Sequence, residues 1–76
     1  MTHEERIALL KSHPDETISP ALLARIIGGN PYAYNLAAKE GKLTLPYIWR
    51  GRNLRVFRVP LLRLLEAGET VTAFDD

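Results

Sequence analysis

Twice within thirteen residues the chain sets a short polar side chain directly before a proline, at Ser19 and Pro20 and again at Asn30 and Pro31. The serine or asparagine oxygen accepts a hydrogen bond from a free amide of a helix's first turn. Proline suits the first helical position, because its φ is preset and its missing N–H has no partner there to lose. Each pair therefore starts a helix. Between them stand Gly28 and Gly29, and glycine readily adopts the left-handed angles that reverse a chain after a helix. The sequence thus predicts one helix running to about Ile27 and a second over residues 31–40, closed by Gly41, with only two or three residues between them. So short a joint makes the helices cross steeply, which is helix-turn-helix geometry.

The first of these helices carries Ala21, Leu22, Leu23, Ala24, Ile26 and Ile27, too apolar for a two-faced surface helix, so most of it is expected to be buried. On the second, helical spacing turns Tyr34, Ala37 and Ala38 toward the first helix and Tyr32, Asn35, Leu36 and Lys39 away from it. Upstream, residues 2–12 read as a short packing helix with Ile7, Ala8, Leu9 and Leu10 on it, stopped by Pro14, and residues 15–19 read as a connector. After Leu45 the periodicity changes to alternation: residues 47–50 and 54–59 read as two strands about the turn "RGRN". Ile48, Leu54 and Val56 are expected on one face, with Arg50, Arg52 and Arg55 on the open side or at the tip. Pro60 is expected to start a last helix, "PLLRLLEA", ending at Gly68. The expected fold class is mainly α with a small β-hairpin (α+β). Residues 1–17 form an N-terminal helix and connector, residues 18–68 the main domain, and residues 69–76 a frayed acidic tail.

Seventy-six residues make one small domain, too small for a buried catalytic cleft with its own supporting shell. No carboxylate pair, histidine cluster or nucleophile with a base has a recognisable spacing, so no enzyme and no catalytic residue is expected. The chain has no cysteine, and His3 and His13 have no further ligands near them, so neither a metal nor a cofactor is expected. No apolar run approaches the roughly 18 residues of a membrane span, and the N-terminus lacks the layout of a signal peptide. The expectation is a soluble, cytoplasmic binding module.

The net charge of +1 conceals an uneven distribution. Residues 39–63 hold seven basic side chains and one acidic, whereas residues 64–76 hold four acidic and no basic ones. A dense basic segment is suited to neutralising phosphates; the competing reading is a solvated surface whose arginines pair with the acidic tail.

From about Ile18 to Leu65 the chain resembles the winged helix-turn-helix domains of phage and conjugative-element excisionases, which are similar to the DNA-binding part of MerR regulators. Ala24 matches the family's small residue in the first helix, Gly28 its turn glycine and Tyr34 the buried position of the recognition helix. Gly41, Lys42 and Leu43 match the motif that closes that helix; residues 51–56 match the wing, and Leu61 and Leu65 the leucines that follow it. Two positions depart from the pattern: Phe57 stands where the family usually has proline, and Lys39 is the one basic residue on the outward face of the reading helix.

The resemblance implies a helix, a helix-turn-helix, a two-stranded wing and a helix, with residues 30–39 in the major groove of double-stranded DNA and the hairpin tip on the adjacent minor groove or backbone. Asn35 is suited to a bidentate pair with adenine and Leu36 to a thymine methyl, while Tyr32 and Lys39 reach phosphates. Arg50, Arg52 and Arg55 would supply sequence-independent attraction, and Asn30, Lys42 and Asn53 complete the candidate DNA-binding set. Against these stand plainer readings: Tyr32 and Leu36 packed on the N-terminal helix, Asn35 merely exposed, Lys39 a solvated charge, and Trp49 a packing residue rather than a base-stacking one. The implied role is that of an excisionase, a recombination directionality factor of a mobile element or prophage that bends DNA beside an integrase and binds side by side with further copies. A transcription regulator and a DNA-reading subunit of phage packaging would use the same contacts. A protein-interaction module on the same scaffold, with its arginines facing an acidic partner, is the alternative from another class.

Overall fold

The capping signals do what their chemistry predicts. A computed structural model of the protein describes residues 1–69 and 71; most of the expected acidic tail therefore lies outside the described residues. Helix α1 (His3–Ser12) opens on a reciprocal capping box, in which the Thr2 hydroxyl accepts from the Glu5 amide at 3.1 Å and the Glu5 carboxylate accepts from the Thr2 amide at 3.3 Å. Helix α2 (Pro20–Ile27) is capped by the Ser19 hydroxyl, which accepts from the Leu22 amide at 3.2 Å. Helix α3 (Pro31–Lys39) is capped by Asn30, whose side-chain oxygen accepts from the Tyr32 amide at 2.8 Å. Pro20 and Pro31 both stand at first helical positions. Between α2 and α3, Gly28 and Gly29 have φ of 85° and 96°, angles that a side chain disfavours.

The three strands form one antiparallel sheet in the order β1 (Thr17–Ile18), β3 (Asn53–Phe57), β2 (Tyr47–Arg50). The architecture is thus α+β, with four helices and a three-stranded sheet among the described residues. Three sequence expectations need correction. Residues 15–19 are more than a connector, because Thr17 and Ile18 pair with Phe57 and Val56 and make the hairpin a three-stranded sheet. A strand of two residues is too short to show alternation, and only its partner defines it. Ile48 does not share a face with Leu54 and Val56. The turn is two residues long, so Arg50 pairs with Asn53 and Ile48 with Arg55, while Tyr47 pairs with Val56 and Trp49 with Leu54. Directly paired residues share a face, which leaves Ile48 on the open side at 37% exposure. Finally, β3 ends at Phe57 and α4 (Arg58–Glu66) begins two residues before Pro60. Proline in third position still lies within the first turn, where no intrahelical donor is lost.

The core joins every helix to the sheet: Leu10 from α1, Leu23 and Ile26 from α2, Tyr34, Ala37 and Ala38 from α3, Ile18, Leu54 and Val56 from the strands, and Leu61 from α4 are all buried. Helix α1 packs against α4. The Arg58 guanidinium fastens that pair by donating to the Leu10 carbonyl at 2.7 Å and the Asp15 carbonyl at 3.0 Å; at the end of α1 it shares the Leu10 carbonyl with the His13 amide, 3.4 Å away.

Candidate functional site

Helix α3 divides as its spacing requires. Tyr34, Ala37 and Ala38 are buried, whereas Tyr32 is 73% and Leu36 44% exposed. The Tyr34 hydroxyl donates to the Gly28 carbonyl, and burial pushes the phenol pKa above its ordinary value. That bond ties α3 to the turn before it. The reading that covers Tyr32 and Leu36 with the N-terminal helix does not hold, since α1 lies on α4 and leaves both side chains in solvent. Asn30 is engaged in capping. Asn35 is half-buried and donates its amide to the Pro31 carbonyl one turn back at 2.9 Å. Lys39 is exposed and has no charged or hydrogen-bonding partner among the described residues.

The hairpin is held beside α3 by Tyr47, whose hydroxyl donates to the Ala38 carbonyl at 3.2 Å. At its tip Gly51 has φ of 60° and Arg52 follows it in the turn. The arginines then part company. Arg55 is only 22% exposed at its side chain and turns inward onto β1, donating to the Thr17 hydroxyl and carbonyl, each at 3.1 Å, and to the Asp15 carboxylate at 3.4 Å. Arg50 keeps 55% of its side chain in solvent and lies 3.7 Å from the same Asp15 oxygen. Arg52 is exposed and, among the described residues, has no such partner. The Thr17 amide bound to the Asp15 carboxylate, helped by the charges of Arg50 and Arg55, holds that carboxyl below its usual pKa.

Two surface clefts run along the junction of α3 and the hairpin. One, of about 390 Å³, is lined by Ser19, Pro20, Asn35, Arg50, Arg52, Asn53, Leu54 and Arg55. The other, of about 400 Å³, is lined by Ala38, Lys39, Trp49, Gly51 and Arg52. Of the residues singled out in the sequence, Asn35, Lys39, Arg50, Arg52, Asn53 and Arg55 are thus brought together, with Arg52 in both clefts. Asn30, Tyr32, Leu36 and Lys42 lie outside these linings, and Lys42 pairs with Glu40 at 3.4 Å.

Sequence reasoning missed Asp15, which neutralises part of the basic segment from more than thirty residues away. Trp49, read from the sequence as a packing residue, packs against Tyr47 and is also 38% exposed. The exposed face of α3 together with Arg50, Arg52 and Lys39 makes a surface suited to an anionic ligand with apolar features. No described helix is long and apolar enough to cross a membrane. No protein-family model, curated protein or solved structure matches the chain.

Proposed function

We propose that the chain is a sequence-specific, double-stranded DNA-binding module of the winged helix-turn-helix class. In this reading α2 and α3 are the helix-turn-helix, the β2–β3 hairpin is the wing, and β1 is an added strand that steadies the wing from its far side. One observation carries it: Asn35 and Lys39 on the outward side of α3 each border a cleft whose other wall includes Arg52 of the hairpin tip, so a single duplex can meet both elements. Arg50, Arg52 and Lys39 would contact phosphates and set the register. Leu36 offers apolar surface to a thymine methyl, and the exposed Tyr32 hydroxyl reaches a phosphate. Asn35 reads adenine after releasing the Pro31 carbonyl, since a bidentate pair needs both ends of its amide.

The test is fluorescence anisotropy of labelled random-sequence duplex at several salt concentrations. Several phosphate contacts give a log–log slope of roughly −3 to −6. Absence of binding at low salt would reject the reading and make an acidic protein partner the alternative to pursue. Within this class we assign the excisionase role, on the sequence resemblance alone; an integrase and further copies of the chain side by side on DNA are the implied partners. An integrase-driven excision assay with and without the chain tests that role, and an unchanged excision yield would remove it in favour of transcription regulation or DNA packaging.

A further inference from the structure

The two faces of the hairpin differ in a way that assigns a more specific ligand contact. On the open face, Arg50 and Arg55 share the Asp15 carboxylate and their charge is partly spent inside the protein. On the opposite face Tyr47, Trp49, Leu54 and Val56 lie together by register. Leu54 and Val56 are buried at 1% and 0% exposure, but Trp49, nearest the tip, remains 38% exposed beside the last turn of α3.

The Tyr47 and Trp49 rings pack in a T-shaped pair, with centroids 6.5 Å apart and planes at 87°, a contact that restrains the Trp49 ring. Ala38 and Gly51 add little bulk to the cleft walls, and the cations Lys39 and Arg52 line the same cleft without internal partners among the described residues. An exposed, restrained aromatic between two unspent cations matches a ligand unit that has one apolar face and one negative charge. The cleft is an open groove of about 400 Å³, a shape against which one unit of a strand can lie.

We propose that this cleft is a sugar–phosphate site. One nucleotide of a DNA backbone places its deoxyribose against the Trp49 indole and its phosphate between Lys39 and Arg52. The inference rests on the DNA-binding reading and goes beyond it by moving the grip on the strand away from Arg55. It also gives Trp49 a contact role. In an intact duplex the bases are stacked on one another, so the sugar is the apolar surface that an indole at the groove edge meets.

Trp49 is the sole tryptophan of the chain, so its emission reports directly on this cleft. The experiment titrates the full chain with random-sequence duplex at low salt and follows tryptophan emission in parallel with the anisotropy of the labelled duplex. The expected result is an emission change with the same midpoint as the anisotropy, reversed by added salt. Lys39→Gln and Arg52→Gln, at exposed positions that leave the fold intact, each reduce the log–log salt slope by about 1, and Arg63→Gln on α4 leaves it unchanged. Trp49→Ala weakens binding roughly fivefold, the loss that giving up about 40 Å² of apolar contact with the sugar produces. Anisotropy that saturates while the emission stays constant would overturn the cleft proposal and leave DNA binding standing, as would unchanged salt slopes in both glutamine variants. Absence of any anisotropy change at low salt would instead remove the DNA reading itself, and this site with it.

Discussion

Replacing Gly29 by alanine probes the joint on which the placement of α3 depends. A Cβ at this position would overlap the Tyr34 hydroxyl and stand 3.0 Å from Cζ of the same ring, and φ there is +96°. The ring belongs to a buried side chain whose hydroxyl is bonded to Gly28, so it has little freedom to withdraw. Gly28 is the internal control: its φ of 85° and ψ of 179° are equally reserved for glycine, but a Cβ there would meet nothing within 4 Å. Backbone strain alone costs about 1–3 kcal/mol, and this is the expected loss for Gly28→Ala. Gly29→Ala adds an overpacking term of about 1–3 kcal/mol, bringing its loss to about 2–6 kcal/mol. For a domain of this size each kcal/mol lowers the Tm by roughly 4–8 °C.

Tyr34→Phe removes the hydroxyl and by itself costs about 1 kcal/mol through the orphaned Gly28 carbonyl. In its background Gly29→Ala is expected to cost about 1 kcal/mol less, because part of the overlap is gone. Urea denaturation followed by circular dichroism on the four members of this cycle, with Gly28→Ala alongside, measures both effects. Equal losses for the two glycines, together with additivity within about 0.5 kcal/mol across the cycle, would refute the steric argument.

The two hairpin arginines separate charge from structure. Arg52→Ala is expected to flatten the salt dependence of duplex binding by about 1 in slope with stability unchanged within about 0.5 kcal/mol, whereas Arg55→Ala lowers stability by about 1–3 kcal/mol as Thr17 and Asp15 lose their partner. Matched denaturation and anisotropy titrations decide this, and identical behaviour of the two variants would contradict the inward assignment of Arg55. Asn35→Ala is expected to relax preference among duplex sequences more than it lowers nonspecific affinity, read by binding to a selected site and to random duplex; equal loss on both would exclude base readout. Acid should act through Asp15, whose folded pKa is depressed by the Thr17 amide and the two arginines. Its contribution is complete above the unfolded value near pH 3.9 and is lost as pH falls through the lower folded value. Thermal melts between pH 6 and pH 2 should therefore show a steeper acid decline for the wild type than for Asp15→Asn, and parallel declines would remove Asp15 from the acid response.

The parts legible in the sequence share a physical cause. Ser19 with Pro20, Asn30 with Pro31, and the paired glycines act on amides within a few residues of themselves, so their consequences are visible wherever they occur. The split of α3 into a buried side bearing Tyr34 and an open side bearing Tyr32 follows from helical spacing for the same reason. The hairpin was visible too, but not its register. Whether the turn uses two residues or three changes which partner each residue faces: the two-residue turn pairs Ile48 with Arg55, where a three-residue turn would pair it with Val56 and put it on the face of Leu54.

Partner choice across long separations had no local signal at all. Nothing in the residues around Thr17 announces a strand; it becomes one because Phe57, forty residues on, offers an open edge. The same pairing brings Asp15 beside Arg50 and Arg55, and so decides which of the clustered cations are spent inside the fold and which, like Lys39 and Arg52, have no internal partner among the described residues. Local capping, turn and periodicity rules act through hydrogen bonds and sterics within one or two turns of chain, and the order of residues therefore determines them. The register of the sheet, the outlook of Trp49 and the division of the basic segment arise from contacts between distant segments, and those exist only once the core has closed around Ile18, Leu54 and Val56.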